Sequence, residues 1–258
     1  MLIKGRAMNT WNRCVFCGVV LLSLIITERG MAATAEKPAP VIEIDAVWTE
    51  FDGIRHEIFH ASRQADQWSD PEMITDDYFD NQLPVIDRDS RGRAWLAWTA
   101  YDRQQTELRA TSGWSGDWQE TVSVAGAMTT NTSPSLVVDG NDVVWLVWSA
   151  NSGGLDDIYY TAYRDGAWTE PVMVHGENDW ADVLPTISLS DGGSPIVQWQ
   201  ALTADGPVYL VSEYNEDGWA DEQIVDETGG VATEAVDEDV ILPEFIENID
   251  TLFLRIYR

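Results

Sequence analysis

Cysteine is almost absent from this chain. Its 258 residues include two cysteines, Cys14 and Cys17, and both lie in an N-terminal segment that differs in composition from the rest. A folded domain without cysteine cannot be a disulfide scaffold, use a thiolate nucleophile or bind zinc through cysteine. A hydrophobic core must therefore hold the domain together, and 45% hydrophobic and 10% aromatic residues are enough to build one.

Basic residues are also scarce. The chain has 15 Lys and Arg against 44 Asp and Glu, which gives a formal charge of -29. Nucleic-acid binding needs clustered lysine and arginine, and docking on an anionic membrane needs them as well. The composition therefore argues against both as partners.

An apolar run over residues 14–26 follows Lys4, Arg6 and Arg13 and precedes an Ala-x-Ala site that ends at Ala35. Its 13 residues are fewer than the roughly 20 that a membrane anchor needs, so a cleaved signal peptide over residues 1–35 is favoured over an anchor. We expect an exported protein, periplasmic or extracellular, that is not membrane-spanning after cleavage. Residues 36–258 then hold 43 acidic and 11 basic residues, a formal charge of -32.

The chain has an internal repeat of about fifty residues. Tryptophans recur at intervals of 50, 50 and 51 residues in two series, and a proline lies 14 residues before three members of the first series. The first series is Trp48, Trp98, Trp148 and Trp199, the second is Trp68, Trp118, Trp168 and Trp219, and the prolines are Pro84, Pro134 and Pro185. Three series with one spacing indicate tandem copies of one structural unit.

Each copy contains four short strand patterns. In the third copy the first pattern follows Pro134, the second covers residues 143–148, the third covers residues 158–163 and the fourth covers residues 171–174. β-Branched and aromatic residues, which favour strands, are frequent in these patterns. No sustained helical periodicity is present outside the leader. Four antiparallel strands per copy predict an all-β fold of β-propeller blades, in which neighbouring blades bury each other's faces. We expect the tryptophans of the first series to pack between blades.

The predicted propeller domain covers residues 36–258. Its blades are expected at residues 41–76, 84–126, 134–175 and 185–226, with a partial copy at residues 243–258. In that last copy, residues 252–257 align without gaps with a second strand. The first blade already has its second strand in residues 41–48, so residues 252–257 would be surplus if the last copy completed that blade. A surplus strand predicts an incomplete or open assembly that can self-associate with another chain.

The turns between the third and fourth strands contain degenerate Asp-box motifs. The closest matches are residues 62–68 and 163–168, which each place an Asp shortly before a Trp. With the paired tryptophans of the second strands, they make the chain resemble the sialidase or BNR-repeat superfamily of β-propellers. The resemblance implies that Asp66, Asp165 and Asp217 are structural, because the Asp-box of that superfamily holds backbone amides on the face opposite the active site.

A binding site is expected on the face formed by two sets of loops, those between second and third strands and those that lead from one blade to the next. Rigid strands hold such loops in a fixed arrangement. Asn81, Asn131 and Asp182 stand three residues before the repeat prolines, so they should be equivalent in space. The candidate ligand-binding residues are Asp77, Tyr78, Asn81, Tyr101, Asp102, Asn131, Asp179, Trp180 and Asp182.

Three interpretations of this acidic face are open at this point. Oxygen ligands from Asp and Asn could hold Ca²⁺, although no EF-hand spacing is present. The acids could bind a sugar while Tyr78 or Trp180 stacks on its ring. The acids could also be a solvated surface that keeps an exported protein soluble. No cofactor other than Ca²⁺ is expected.

No catalytic residue can be assigned. Sialidase chemistry, as the resemblance implies it, needs three arginines around a substrate carboxylate, a Tyr/Glu pair and an Asp acid, and the early arginine motif is absent. Arg91 and Arg93 belong to a turn on the opposite face. His56 and His60 lie four residues apart on a predicted strand without a third ligand, and His175 stands alone at a strand end.

We therefore predict an exported, non-catalytic propeller module that binds a glycan or a protein. The first alternative is a divergent sialidase-like glycoside hydrolase, which would use a pair of the abundant carboxylates. The second alternative is a structural repeat protein without a small ligand.

Overall fold

The computed structural model describes residues 43–65, 67–225 and 251–257. All of the regular secondary structure in this part of the chain is β-strand, as the all-β prediction requires. The strands form four antiparallel sheets, and each sheet is one blade of a β-propeller-type fold. No helix in the described ranges is long and apolar enough to cross a bilayer.

The blades share one layout, with a first strand at one edge and two short strands, both paired with the third strand, at the other. Blade 1 contains β1 (Glu43–Phe51), β2 (His56–Gln64), β3 (Gln67–Trp68) and β4 (Glu72–Met73). Blade 2 contains β5 (Asp80–Arg88), β6 (Ala94–Tyr101), β7 (Thr106–Trp114), β8 (Asp117–Trp118) and β9 (Val122–Ser123). Blade 3 contains β10 (Thr130–Val138), β11 (Val144–Asn151), β12 (Asp157–Arg164), β13 (Ala167–Trp168) and β14 (Val172–Met173). Blade 4 contains β15 (Ala181–Leu189), β16 (Pro195–Thr203), β17 (Gly206–Asn215), β18 (Gly218–Trp219) and β19 (Gln223–Val225), and the last strand is β20 (Leu252–Tyr257).

Strand β20 completes blade 1. It pairs antiparallel with β1, with Arg255 opposite Asp45, and so takes the place of a first strand. The prediction that residues 252–257 are a surplus second strand is therefore wrong. Their apolar pattern fits either position, but the open edge of β1 decides the pairing because its backbone groups need partners. The rest of the predicted partial copy, residues 243–250, lies outside the described residues.

The core lies between the blades. Three clusters of buried side chains join blade 1 to blade 2, blade 2 to blade 3 and blade 3 to blade 4. Trp98, Trp148 and Trp199 are each buried in one of them, so the predicted packing of these tryptophans between blades is confirmed. Trp48 is buried in a fourth cluster, which among the described residues contains side chains of blade 1 alone. Self-association of the propeller stays a prediction.

Two tryptophans of the second series pack back onto the preceding blade. Trp168 of blade 3 meets Trp95 of blade 2 edge-on, with ring centroids 6.2 Å apart. Trp219 of blade 4 meets Trp145 of blade 3 in the same way at 6.3 Å. Both series of the sequence repeat therefore contribute to the interfaces between blades.

The turn between first and second strands is held by an aspartate. Asp139 accepts the backbone N–H groups of Asn141 at 2.8 Å and Val143 at 3.0 Å, and the indole N–H of Trp145 at 2.9 Å. Asp89 of blade 2 makes the equivalent contacts. These aspartates follow the repeat prolines by five residues. They hold backbone amides in a turn, which is the role that the resemblance implies for the Asp-box aspartates.

The Asp-box aspartates themselves have another role. Asp165 has a positive φ of 54° and Gly166 one of 85°, which makes them the two central residues of the tight turn between β12 and β13. The carboxylates of Asp165 and Asp217 make no hydrogen bond to another residue in the described part of the chain. The expected holding of amides by these two carboxylates is therefore not seen, and Asp66 lies outside the described residues.

Candidate functional site

The two sets of loops that were predicted to form a binding face meet at each junction between consecutive described blades. The contacts are His56 N–H to the Asp80 carboxylate at 2.7 Å, Asn131 Nδ2 to the Thr106 carbonyl at 2.6 Å, and Asp182 N–H to the Asp156 carbonyl at 2.7 Å. We call this side of the molecule the upper face. The lower face carries the turns between first and second strands and the turns that follow the third strands.

Three of the candidate residues are equivalent in space, as predicted, but they do not reach solvent. Each is completely buried, and its side-chain oxygen accepts the indole N–H of a second-strand tryptophan. The pairs are Asn81 with Trp98 at 2.8 Å, Asn131 with Trp148 at 2.9 Å and Asp182 with Trp199 at 2.8 Å. These hydrogen bonds join the first and second strands of one blade, and contact with a ligand in solution is left to the exposed neighbours of these residues.

A β-bulge in each first strand puts these residues in place. The residue ahead of the repeat proline has a left-handed backbone, with φ of 54° at Leu83, 54° at Ser133 and 55° at Leu184. The pairing with the second strand shifts register at the same points. Because of the bulge, each first strand begins four residues before its proline, and the predicted loop positions become strand positions.

An exposed aromatic ring with a fixed base stands at the junction of blades 1 and 2. Tyr78 is 72% exposed, and its ring stacks on that of Phe79 with centroids 4.2 Å apart. The guanidinium of Arg109 lies 4.3 Å from the centre of the Phe79 ring, and its Nη1 donates to Oδ2 of Asp77 at 2.6 Å. Asp77 also accepts the backbone N–H of Phe79 at 3.0 Å. We call these four residues the Tyr78 platform.

Polar groups border the platform. Oδ1 of Asp80 accepts the backbone N–H of His56 and lies 2.7 Å from its Nδ1, while Gln82 donates to Oδ2 at 2.8 Å. Burial opposes ionisation of Asp80, but the hydrogen bonds and charge of His56 outweigh it, so that the pKa of Asp80 is lowered. Tyr101 lies opposite Asp80 in the pairing of β5 with β6 and is 44% exposed. An ionised carboxylate, two residues after Tyr78 in the chain, and a second phenol therefore lie opposite each other where β5 begins and β6 ends.

Asp102 shapes the loop that follows Tyr101. Its Oδ1 accepts the backbone N–H groups of Gln104 at 3.0 Å and Gln105 at 3.1 Å, and these hydrogen bonds lower the pKa of its carboxyl group. Asp52 holds the corresponding loop of blade 1 in the same way. Asp102 is therefore a local turn residue that holds the loop beside the platform.

Asp179 and Trp180 lie at the junction of blades 3 and 4. Both are exposed, Trp180 to 44%. The backbone N–H of Trp180 donates to Oδ1 of Asn178 at 2.7 Å, and Nδ2 of Asn178 donates to Oδ2 of Asp182 at 2.7 Å. The exposed candidates therefore fall into two groups on the upper face, one around Tyr78 and one around Trp180.

A groove on the lower face brings together three arginines, and the sequence gives no sign that those of blade 2 lie close to that of blade 3. It lies between blades 2 and 3, has a volume of about 350 Å³ and is lined by Arg91 and Arg93 of blade 2 and Arg164 of blade 3. The guanidinium of Arg93 lies 4.9 Å from the centre of the Trp95 ring and 5.7 Å from that of Trp114, which is half exposed. Three carboxylates of the lining offset the three guanidinium groups: Asp89, Asp142 and Asp165.

No family model matches the sequence, and no curated protein matches it. Solved structures do match in fold. A GH93 α-L-arabinofuranosidase of Fusarium graminearum, in complex with arabinobiose, matches with a TM-score of 0.53 and 10% identity over 71% of this chain and 63% of that chain. A protein of unknown function from Dyadobacter fermentans has a TM-score of 0.53 and 10% identity, over 66% of this chain and 58% of that one.

A Hadza microbial sialidase has a lower TM-score of 0.47 and 9% identity, over 65% of this chain and 45% of that one. The chain thus spans less than two thirds of the length of each of these three structures. The likeness to the Fusarium and Dyadobacter proteins establishes the β-propeller-type fold. The resemblance to BNR repeats in particular stays a prediction.

Proposed function

We propose that this protein is an exported, non-catalytic β-propeller module that binds a glycan on its upper face. The Tyr78 platform carries the proposal. A phenol that is 72% exposed and stacked on Phe79 offers a flat apolar face on which a sugar ring can stack. Because the ring is already ordered, binding loses little conformational entropy. Export rests on the predicted leader, residues 1–35.

The charges of the platform indicate a neutral glycan. The carboxylates of Asp77 and Asp80 can accept hydrogen bonds from sugar hydroxyls, and such charge-assisted bonds are among the stronger ones. The guanidinium of Arg109 is already paired with Asp77. It therefore offers no free cation to a carboxylated sugar, which the acidic face would also repel.

The fold likeness agrees with a glycan as ligand. The Fusarium structure, which matches this chain with a TM-score of 0.53, is a complex with arabinobiose. A propeller of this kind can therefore present a glycan site, and the Tyr78 platform has side chains that suit one.

A divergent glycoside hydrolase is the second candidate, and one observation favours it. Burial raises the pKa of Asp157, nearby His175 lowers it, and the charge of Asp182 raises it again, so that the pKa is raised overall. A carboxylic acid with a raised pKa close to a second carboxylate is the group that a glycosidase uses as its general acid. The arginines of the lower groove lie on the other side of the molecule and take no part in this arrangement.

A glycan array probed with the wild-type protein and with Tyr78→Ala tests the proposal. We expect neutral glycans among the hits and loss of those hits in the variant. The same glycans, together with fluorogenic sialosides, are then tested for turnover by the wild-type protein. Turnover that Asp157→Asn abolishes would replace the binding function with the hydrolase, and an array without hits would favour a protein partner.

A further inference from the structure

Three positions recur at every junction between consecutive described blades. The first position is the first acidic residue of the third strand. The second lies two residues after the last short strand of the blade (β4, β9 or β14). The third is the buried residue that accepts the indole N–H of the second-strand tryptophan in the next blade. The sets are Glu57, Thr75 and Asn81 between blades 1 and 2, then Glu107, Ala125 and Asn131 between blades 2 and 3, and Asp157, His175 and Asp182 between blades 3 and 4. The chain therefore supplies its own comparison for each set.

The first junction shows how one buried carboxylate is satisfied. The hydroxyl of Thr75 donates to Oε2 of Glu57 at 2.6 Å, and Nδ2 of Asn81 lies 3.4 Å from the same oxygen. Arg55 also pairs with Glu57, at 2.7 Å. Hydrogen-bond donors and one guanidinium therefore surround a single carboxylate.

The last junction has a different set of charges. His175 replaces the small residue, and Asp182 replaces the asparagine, so that two carboxylates and one imidazole share the pocket. Their ligand atoms all lie within 4.8 Å of one another. In the described part of the chain neither carboxylate forms a salt bridge with an arginine. A completely buried carboxylate such as that of Asp182 needs a positive partner.

The imidazole of His175 is oriented as a ligand. Its Nδ1 lies 2.7 Å from the carbonyl oxygen of Gly176 and donates to it, so that in the neutral imidazole Nε2 carries the lone pair on the side of the carboxylates. The backbone N–H of Ile158 reaches Nε2 at the long distance of 3.4 Å. The side chain of His175 is 1% exposed and its ring stacks on Trp199 at 5.2 Å, which fixes the orientation of the ring.

The separation of the His175 and Asp182 side chains fits an ion between them. Nε2 of His175 and Oδ2 of Asp182 lie 3.5 Å apart, which is long for a hydrogen bond. Two ligands at 2.0–2.1 Å from a tetrahedral Zn²⁺ are themselves roughly 3.4 Å apart. Oδ2 of Asp182 also accepts from Asn178, but a carboxylate oxygen has a second acceptor site for a metal.

We propose that Asp157, His175 and Asp182 bind a divalent transition-metal ion, with Zn²⁺ as the preferred one. One imidazole and two carboxylates are a ligand set for Zn²⁺ or Mn²⁺, and the imidazole disfavours Ca²⁺, which takes oxygen ligands. Asp157 and His175 belong to blade 3 and Asp182 belongs to blade 4, so the ion would join the two blades. Through Asn178 it would also hold the loop that presents Trp180.

Metal titration of the mature protein tests this proposal without any glycan, so its result is independent of the proposed function. The protein is first exchanged against a chelator and then titrated with Zn²⁺, Mn²⁺ or Ca²⁺ by calorimetry and by tryptophan fluorescence, since Trp199 stacks on the ligand histidine. We expect one Zn²⁺ per chain, a change in fluorescence and a rise in the thermal midpoint.

The variants come from the chain's own repeats. His175→Ala copies the second junction, and Asp182→Asn copies the first two, so both are expected to fold. Each should weaken Zn²⁺ binding about 100-fold or more. Asp165→Asn removes the same charge from an exposed turn of blade 3 on the lower face, and it should leave the affinity unchanged.

Three results would overturn the assignment. The first is a wild-type protein that binds neither Zn²⁺ nor Mn²⁺, and the second is Zn²⁺ binding that both His175→Ala and Asp182→Asn leave intact. Ca²⁺ binding that is lost in Asp182→Asn and retained in His175→Ala would likewise rule out an ion bound through the imidazole. Circular dichroism of each variant separates loss of the ligand from loss of the fold.

Discussion

The indole N–H of Trp98 lies 2.8 Å from Oδ1 of Asn81, and both side chains are completely buried. The equivalent hydrogen bond recurs in blade 3 and in blade 4. Each first strand is thereby attached to the core tryptophan of its own second strand. The upper-face loops leave the blade next to this contact, so it also fixes where they begin.

Removing the acceptor in one blade measures what this contact contributes. Asn131→Ala leaves the indole N–H of Trp148 buried without a partner, and we expect a loss of about 1–3 kcal/mol in the free energy of unfolding. Asn131→Asp keeps an acceptor for the indole but should also destabilise the fold, because Nδ2 of Asn131 donates to the carbonyl oxygens of Thr106 and Met128 and a carboxylate cannot. Urea unfolding followed by tryptophan fluorescence measures both. If Asn131→Ala were as stable as the wild type, the hydrogen bond between Trp148 and Asn131 would not contribute to the stability of the fold.

A buried charge network between blades 1 and 2 makes stability depend on pH. Asp45 lies 2.9 Å from Nε2 of His60 and accepts from Nη2 of Arg88 at 2.7 Å. Burial opposes ionisation of Asp45, but the hydrogen bonds and charges of these partners outweigh it and lower its pKa. Burial raises the pKa of neighbouring Asp87, which acts in the opposite direction.

Because the folded-state pKa of Asp45 is lowered, its contribution to stability is present above the unfolded pKa of about 3.9 and is lost as the pH falls through the folded value. Asp45→Asn should cost about 3–5 kcal/mol at neutral pH, since it leaves a charged partner buried. The gap between variant and wild type should narrow in acid. Urea midpoints measured across the acidic range check this, and a gap that does not change with pH would contradict it.

The two kinds of turn aspartate should respond differently to substitution. Asp139→Ala removes the acceptor of two amides and one indole, so we expect a loss of about 1–3 kcal/mol. Asp165→Asn keeps a residue that tolerates a positive φ and should change stability by less than about 0.5 kcal/mol. Thermal unfolding of both variants decides the matter. A large loss in Asp165→Asn would restore the Asp-box role to that carboxylate.

Strand β20 should be essential to blade 1. Leu254 is buried in the cluster that contains Trp48, and Leu254→Ala is expected to cost about 2–5 kcal/mol. Leu202 is half exposed, so Leu202→Ala serves as the control and should change stability by less than about 0.5 kcal/mol. If the unfolding midpoints of both variants equalled that of the wild type, β20 would not be part of the cooperative fold.

The repeat period was enough to predict the blades because each interface requires the same large side chain at the same depth. Trp98 and Trp148 are fixed by that requirement, and their spacing is visible in the sequence. Residues 252–257 were placed wrongly because first and second strands have similar apolar patterns. Which of the two a segment becomes depends on the open edge of β1, which is a property of the folded chain.

The candidate site was predictable in part. Tyr78 and Trp180 were found because aromatic residues in polar loops are visible in the sequence. The burial of Asn81 was missed because the bulge at Leu83 uses a left-handed leucine where a glycine would have been a signal. His175 was taken to stand alone because its partners, Asp157 and Asp182, come from other strands.

The affinity for a glycan measures directly whether the protein binds glycans through the Tyr78 platform. Titration calorimetry with the strongest neutral glycan from the array compares the wild type with Tyr78→Ala, Tyr78→Trp and Trp114→Ala, the last in the lower groove. We expect at least a tenfold loss of affinity for Tyr78→Ala, equivalent to about 1.4 kcal/mol, retention in Tyr78→Trp and no change in Trp114→Ala. Binding that survives Tyr78→Ala and is lost in Trp114→Ala would contradict this expectation and move the site to the groove.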